Sequence, residues 1–335
     1  MDNNSKNELQ NFCKVFGIEQ IPENRNYWLI RTASGEYFND FYSNNYVAIG
    51  WDKFCDASQI KNEEENKVKI SIANAYKDEK RPGYVYNQIK RFMFDIKKGD
   101  MILIPNVNSN DIAFGIVSKE FYVRENQNIP SKTANKSMCL YKKCIGVNWI
   151  KILPKMKFEP ALRMLMFAHT TVSNVNDYKS YINRTLYPIY ILDKYIHLTY
   201  AVQTTEDISL SNFAGFLNVI ADSLKLFDDI AKTNLSNTKL DIKTTVNSPG
   251  VVEFIGYAFG TGLALTCLNS FLFGGKFEVD LLKLGKYSSE HLGIFGTILK
   301  FKKEKNKKEL EMAKLKKQYN IQKTALKLKA PNEKV

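Results

Sequence analysis

Between Tyr27 and Leu153 the chain passes repeatedly from a short run of β-branched and aromatic residues into a turn, and this rhythm restricts the fold more than any other feature. Residues 27–31 (YWLIR) and 46–51 (YVAIGW) each suffice for one strand, with a Ser34-Gly35 turn between them. Arg81-Pro82-Gly83 breaks the chain, and Lys98-Gly99-Asp100 turns it into the apolar run 101–105 (MILIP). Residues 111–122 and 146–153 read as two further strands. Helices are expected at 67–76 and at 84–94, where Val85, Ile89, Phe92 and Met93 recur at helical spacing. Strands separated by short helices predict an α+β fold that begins with a small β-barrel of about 150 residues.

The pattern changes after Pro160. Residues 161–168 and 177–186 read as short helices. Leu210, Phe213, Leu217, Ile220, Leu224 and Phe227 then recur at alternating spacings of three and four. Such a seven-residue repeat packs one helix against another, and it permits a homo-oligomer through 210–227. Residues 239–246 and 251–255 read as two strands around Asn247-Ser248-Pro249-Gly250, and 309–329 as a tail helix with Met312, Leu315, Tyr319 and Leu326 on one face. The expected division is an extension at 1–26, a barrel domain at 27–190, a helical or α+β part at 191–299 and a Lys-rich helical tail at 300–335.

The net charge of +13 is unevenly placed. Residues 300–329 carry 12 Lys against 3 Glu, whereas 161–299 are nearly neutral. Lys302, Lys303, Lys305, Lys307 and Lys308 are therefore the candidate contacts to phosphate or to an anionic membrane, with a solvated helix as the plain alternative. Just before the tail, 254–274 holds 21 residues without a charge, long enough to cross a bilayer, with Gly256 and Gly260 as a GxxxG pair. Thr261, Thr266, Asn269 and Ser270 dilute that run, so a buried helix and an inserting membrane segment both remain open. The opening residues MDNNSKNELQ lack the basic and apolar pattern of a secretory leader, so the chain is expected in the cytoplasm, with inner-membrane association as the alternative.

Few catalytic chemistries fit. Cys13, Cys55, Cys139, Cys144 and Cys267 form no CxxC, and His169, His197 and His291 lie far apart, which argues against zinc sites and a disulfide framework. There is no GxxxxGK[ST] loop and no GxGxxG, so no cofactor is expected. A metal nuclease built on Glu253, Glu278 and Asp280 lacks the acid-x-Lys partner that such a site uses. Arg163 and His169 give the R-x5-H spacing of HEPN-type RNases, a pattern short enough to arise by chance. No complete catalytic constellation emerges, and an enzyme is not the favoured reading.

A set of motifs carries a family resemblance. They are Trp28-Leu29-Ile30-Arg31, Gly35-Glu36-Tyr37, Val47-Ala48-Ile49-Gly50-Trp51, Asn87-Gln88-Ile89-Lys90-Arg91-Phe92, the run 96–102, Gly115-Ile116-Val117 and Val147-Asn148-Trp149. Together with Ala161-Leu162-Arg163, Thr170-Thr171-Val172 and 178–186, taken as a helical closing segment, they resemble the PUA/EVE-like N-terminal domain of Mrr-type prokaryotic restriction-system proteins. The resemblance covers a little under half of the chain. It implies a pocket for a flipped or modified base, in which Trp28 and Trp51 supply flat faces while Arg31, Asn87, Gln88 and Arg91 read base edges or phosphates. Trp149 is expected in the barrel core, and a core position is equally open to Trp28 and Trp51. The implied partners are nucleic acid, most directly modified DNA, or a nucleotide, together with a defence protein that receives the signal from the C-terminal part. The nuclease domain that usually follows in that family has no counterpart here.

Overall fold

The computed structural model describes residues 3–125, 138–244, 250–258, 260, 264, 297, 301 and 304–330. They form two compact units, Asn24–Ile182 and a second that joins Met1–Glu23 to Asn183–Val335. The chain therefore leaves the first unit at 182 rather than near 190. The expected N-terminal extension belongs to the second unit.

The Asn24–Ile182 unit is built on strands β2 (Tyr27–Ile30), β3 (Tyr46–Ile49), β4 (Met101–Pro105), β5 (Asp111–Val123), β6 (Lys143–Pro154) and β7 (Val172–Asn174). They pair in the order β3-β6-β5-β4-β2-β7, a curled half-barrel with β3 and β7 at its ends. The mixed α+β class holds, and the sheet is an open path among the described residues rather than a closed ring. Register shifts between β5 and β6, such as that at Phe114/Gly115, mark bulges, which bend a strand and tighten its twist. Thr170-Thr171-Val172, expected in a helical closing segment, instead leads into β7, which pairs antiparallel with β2.

Four helices lie between β2 and β4: α2 (Phe38–Ser43), α3 (Ala57–Asn62), α4 (Glu65–Ala75) and α5 (Pro82–Lys90). Pro82 starts α5 without wasting a hydrogen bond, because the first amides of a helix have no partner within it. Val85, Ile89, Phe92 and Met93 enter the core with Val68 and Ile72 of α4, as their spacing requires. The unit also holds α6 (Pro160–Met164).

The second unit starts with α1 (Asn3–Phe16) and β1 (Glu19–Ile21), and the boundary at 182 falls inside α7 (Lys179–Leu186). It continues with β8 (Ile189–Leu192), β9 (Tyr195–Val202), α8 (Leu210–Ala231), β10 (Leu240–Thr244), β11 (Gly250–Tyr257), α9 (Glu309–Leu326) and β12 (Leu328–Lys329). The sheet runs β1-β8-β9-β11-β10, with β12 also pairing on β9. One face carries the core, where Tyr200, Phe254 and Phe216 of α8 meet edge to face at 5.3 to 5.9 Å. Burying each such ring stabilises the unit by roughly 1.5–3 kcal/mol.

The helix repeat at 210–227 finds a partner within the chain. Helix α9 buries Leu315, Tyr319 and Leu326, and its Gln322 lies directly over Gly215 of α8. Leu210 is left 82% exposed, because the buried stripe of α8 runs instead through Phe216, Ile220, Leu224 and Phe227. The charge-free run opens inside β11, with the Phe254 side chain in the core, and 259, 261–263 and 265–274 lie outside the described residues. Among the described residues no helix is long and apolar enough to cross a membrane.

Candidate functional site

The three tryptophans are held differently. Trp28 on β2 is buried, and its indole N–H donates to Asp100 Oδ2 at 2.9 Å. That carboxylate also accepts the Asn26 and Lys97 amides at 3.0 and 2.9 Å, so it closes the turn before β4. Trp149 donates to the Phe41 carbonyl at 3.1 Å and packs beside Tyr42 on the core. Trp51 is half-buried at the end of β3, and its indole N–H has no acceptor among the described residues. Trp28 therefore offers no face to a ligand, whereas Trp51 offers both a face and a donor.

The backbone at Trp51 is left-handed, with φ of +62°. A Cβ in that region costs roughly 1–2 kcal/mol, and such strain persists only where the surroundings enforce it. Here they do so through Lys143, whose side chain is 0% exposed and whose ammonium donates to the Trp51 carbonyl at 2.8 Å. Asp52 Oδ1 lies 3.6 Å from the same nitrogen, and Cys55 Sγ lies 3.9 Å away. Burial pulls the Lys143 ammonium below the ordinary lysine value, against the opposing pull of Cys55 and Asp52. Asp52 Oδ1 also accepts the Lys142 amide at 3.0 Å, and the Phe54 amide bonds the Trp51 carbonyl at 3.0 Å. The turn is thus held from three directions.

Tyr84 of α5 stands edge-on to the Trp51 ring at 6.5 Å, with Arg81 over its face at 4.9 Å. The Tyr84 hydroxyl accepts the Thr171 amide at 2.9 Å, and the Thr171 carbonyl accepts the Arg31 amide at 2.9 Å. Cations also lie over nearby tyrosines: Lys53 over Tyr76, and both Lys69 and Lys90 over Tyr86. Interleaved cations and flat rings are the composition that holds a nucleic-acid backbone and its bases.

Arg31 lines a cavity of about 290 Å³ together with Thr32, Ser34, Gly35, Pro105, Asn106, Asn108 and Ser109. No carboxylate is among those residues. The Arg31 Nε donates to the Ala168 carbonyl at 2.9 Å, and Nη2 donates to the Met166 carbonyl at 2.5 Å and again to Ala168. Nη1 has no partner among the described residues, and burial pulls the guanidinium below its ordinary value. Ala33, Ser34, Asn108 and Ser109 are all left-handed. The two loops that carry them meet at Gly35, where a Cβ would fall 2.2 Å from the Val107 nitrogen, so only glycine fits. Asn106 and Asp111 brace the second loop with reciprocal bonds of 2.7 and 2.8 Å. Left-handed residues gather round this cavity, and Arg31 is the one cation among the residues that line it.

The remaining expected residues are scattered. Gln88 is buried and accepts the Val172 amide at 2.6 Å, so it pins β7 rather than a ligand. Asn87 is exposed and Arg91 half-buried. Lys302 and Lys303 lie outside the described residues. Lys307 pairs with Glu304, and Lys308 with Glu311 at 2.8 Å, which reduces the free charge of the tail, while Lys305 is half-buried beside them.

The nuclease and RNase motifs take structural roles where they are described. Glu253 Oε1 lies 2.8 Å from His197 Nδ1 and accepts the Tyr190 hydroxyl at 3.0 Å, and Oε2 lies 3.4 Å from Arg184. Glu278 and Asp280 lie outside the described residues. Arg163 caps the carbonyls of Phe158 and Met156, and His169 is exposed. No group of three His, Cys, Asp or Glu that could hold a metal occurs among the described residues. Sequence reasoning missed Lys143, Tyr84 and the Ser34 and Asn108 loops. A lysine in an otherwise apolar strand start, Lys143-Cys144-Ile145, was the one local signal for the first.

Residues 27–176 match the family model of a domain of unknown function, DUF8426. No curated protein matches. Among solved structures, the chain is similar to the YTH domain of the Zygosaccharomyces rouxii MRB1 protein in complex with N6-methyladenosine RNA. That match has 12% identity and a TM-score of 0.27, and it covers 50% of this chain and 87% of the other. At that distance it carries neither fold nor function. Neither description names a restriction or defence system.

Proposed function

We propose that the Asn24–Ile182 unit binds nucleic acid or a modified nucleotide, stacking one base on Trp51 and presenting Arg31 to a phosphate or a base edge. The observation that carries this reading is Trp51 itself, the tryptophan whose indole N–H has no acceptor among the described residues and whose left-handed backbone is held by a buried lysine. A ring that served only the core would need neither feature. Tyr84, Arg81 and the cavity lined by Arg31 support the same chemistry. Asn87 and Arg91 on the α5 side, and the lysines of the tail, are further contacts to phosphate in this proposal. The setting in prokaryotic defence, and signalling through the second unit to a partner, rest on the resemblance of the N-terminal motifs.

The test is binding of short oligonucleotides, unmodified against base-modified, at two salt concentrations. Base stacking contributes about 1–3 kcal/mol, so Trp51→Ala is expected to weaken binding roughly five- to hundredfold while the protein stays folded. Contacts to the ring persist at the higher salt, whereas binding through lysines alone collapses. Equal affinity of the wild type and Trp51→Ala would overturn the proposal.

A further inference from the structure

Phe167 is 68% exposed, and Met164 and Met156 of the preceding segment are exposed as well. Phe167 is also firmly placed. Leu165 and Met166 beside it are buried, and the Ala168 amide closes the turn on the Leu165 carbonyl at 3.1 Å. The carbonyls on either side of it, those of Met166 and Ala168, are the two that Arg31 grips. One guanidinium therefore lines the cavity and fixes the turn that displays the ring.

The segment that leads into that ring is cationic and apolar in sequence. Lys155, Lys157 and Arg163 stand in the preceding segment against a single acid, Glu159. Met156 and Met164 are 74% and 60% exposed, and Arg163 bonds the Met156 carbonyl at 2.9 Å. Flat apolar surface among excess positive charge suits a base and its phosphate.

We infer that Phe167 is a second stacking platform, and that the ligand of this unit is a single-stranded or locally extruded polynucleotide rather than a free nucleotide. This rests on the nucleic-acid reading above. A strand that places a phosphate or base edge at Arg31 meets Phe167 with its neighbouring base, because Arg31 holds both flanking peptides. A paired base cannot offer its face to such a ring, which restricts the ligand to unpaired nucleotides.

The experiment measures a labelled single-stranded oligonucleotide by anisotropy and a mononucleotide by quenching of tryptophan fluorescence. The full chain and its Phe167→Ala, Phe167→Trp and Trp51→Ala variants are compared. The expected result is a five- to hundredfold loss of oligonucleotide affinity in Phe167→Ala, with mononucleotide binding unchanged and Phe167→Trp binding like the wild type. Oligonucleotide affinity unchanged in Phe167→Ala but lost in Trp51→Ala would overturn the second platform and leave the Trp51 reading standing. A parallel loss of mononucleotide binding in Phe167→Ala would likewise overturn it, since the ring would then act on the first site. A wild-type chain that binds neither probe would overturn both readings.

Discussion

Glu253 and Lys143, one in each unit, are buried charges that are housed differently. Glu253 in the second unit is surrounded by side chains that answer it: the His197 ring, the Tyr190 hydroxyl and the Arg184 guanidinium, with Tyr190 and His197 stacked at 4.4 Å. Lys143 in the first unit has a backbone carbonyl, a carboxylate at 3.6 Å and a thiol at 3.9 Å, and Asp52 and Cys55 are both half-buried at the surface. The first arrangement closes on itself and fastens β8, β9, β11 and α7 together. The second reaches outward to hold one surface turn. A buried charge with a complete set of partners reads as architecture, while one spent on a strained carbonyl reads as positioning.

The largest effect that tests this contrast is expected from Glu253→Ala. It removes the acceptor shared by three buried groups and should lower stability by about 3–5 kcal/mol, measured by denaturant unfolding. Burial pushes the Glu253 carboxyl up, and His197, Arg184 and Tyr190 outweigh it, so the carboxyl sits below its ordinary value. Its contribution is therefore complete above the usual carboxylate range and disappears as pH falls through the lowered folded value. A variant as stable as the wild type at neutral pH would show that the cluster holds nothing together.

Lys143→Met comes next, with an expected loss of about 1–3 kcal/mol and a loss of nucleic-acid binding in parallel. Because burial lowers the lysine in the folded state, the unfolded chain binds more protons in the window below the ordinary lysine value. Wild-type stability gains from rising pH across that window, and the variant should lack this gain. Normal oligonucleotide binding by Lys143→Met would separate the lysine from the Trp51 turn. The smallest effect is the difference between Trp51→Gly and Trp51→Ala. Both remove the ring, yet only glycine accepts φ of +62° freely, so the glycine variant should be more stable by about 1–2 kcal/mol. Equal melting of the two would mean that the turn is unstrained.

Elements that announce themselves locally were legible in the sequence. The β10–β11 pair appears on either side of Asn247-Ser248-Pro249-Gly250, MILIP is β4, and the three-four spacing marks α8. Elements defined by distant partners were not. β7 is three residues long and exists because β2, some 145 positions earlier, offers an edge. β1 lies parallel to β8 from the far end of the chain, which is why 1–26 reads as an extension although Leu9, Phe12 and Cys13 are core residues. At the site, Trp51 and Arg31 were visible as residue types. Trp28 and Gln88 are equivalent to them in type, and only their hydrogen bonds to Asp100 and Val172 set them apart.

The sequence by itself determined the α+β class, the strand-rich first half, the helix through 210–227 and the concentration of lysine in the tail, because each follows from local periodicity and composition. Tertiary structure alone decided which tryptophan leaves its indole N–H without an acceptor among the described residues, that Lys143 stands under its carbonyl, and that Arg31 grips the turn of Phe167. Those are relations between residues about 90 and 135 positions apart. Burial and hydrogen-bond satisfaction arise only when the chain has closed on itself, so no window of sequence can contain them.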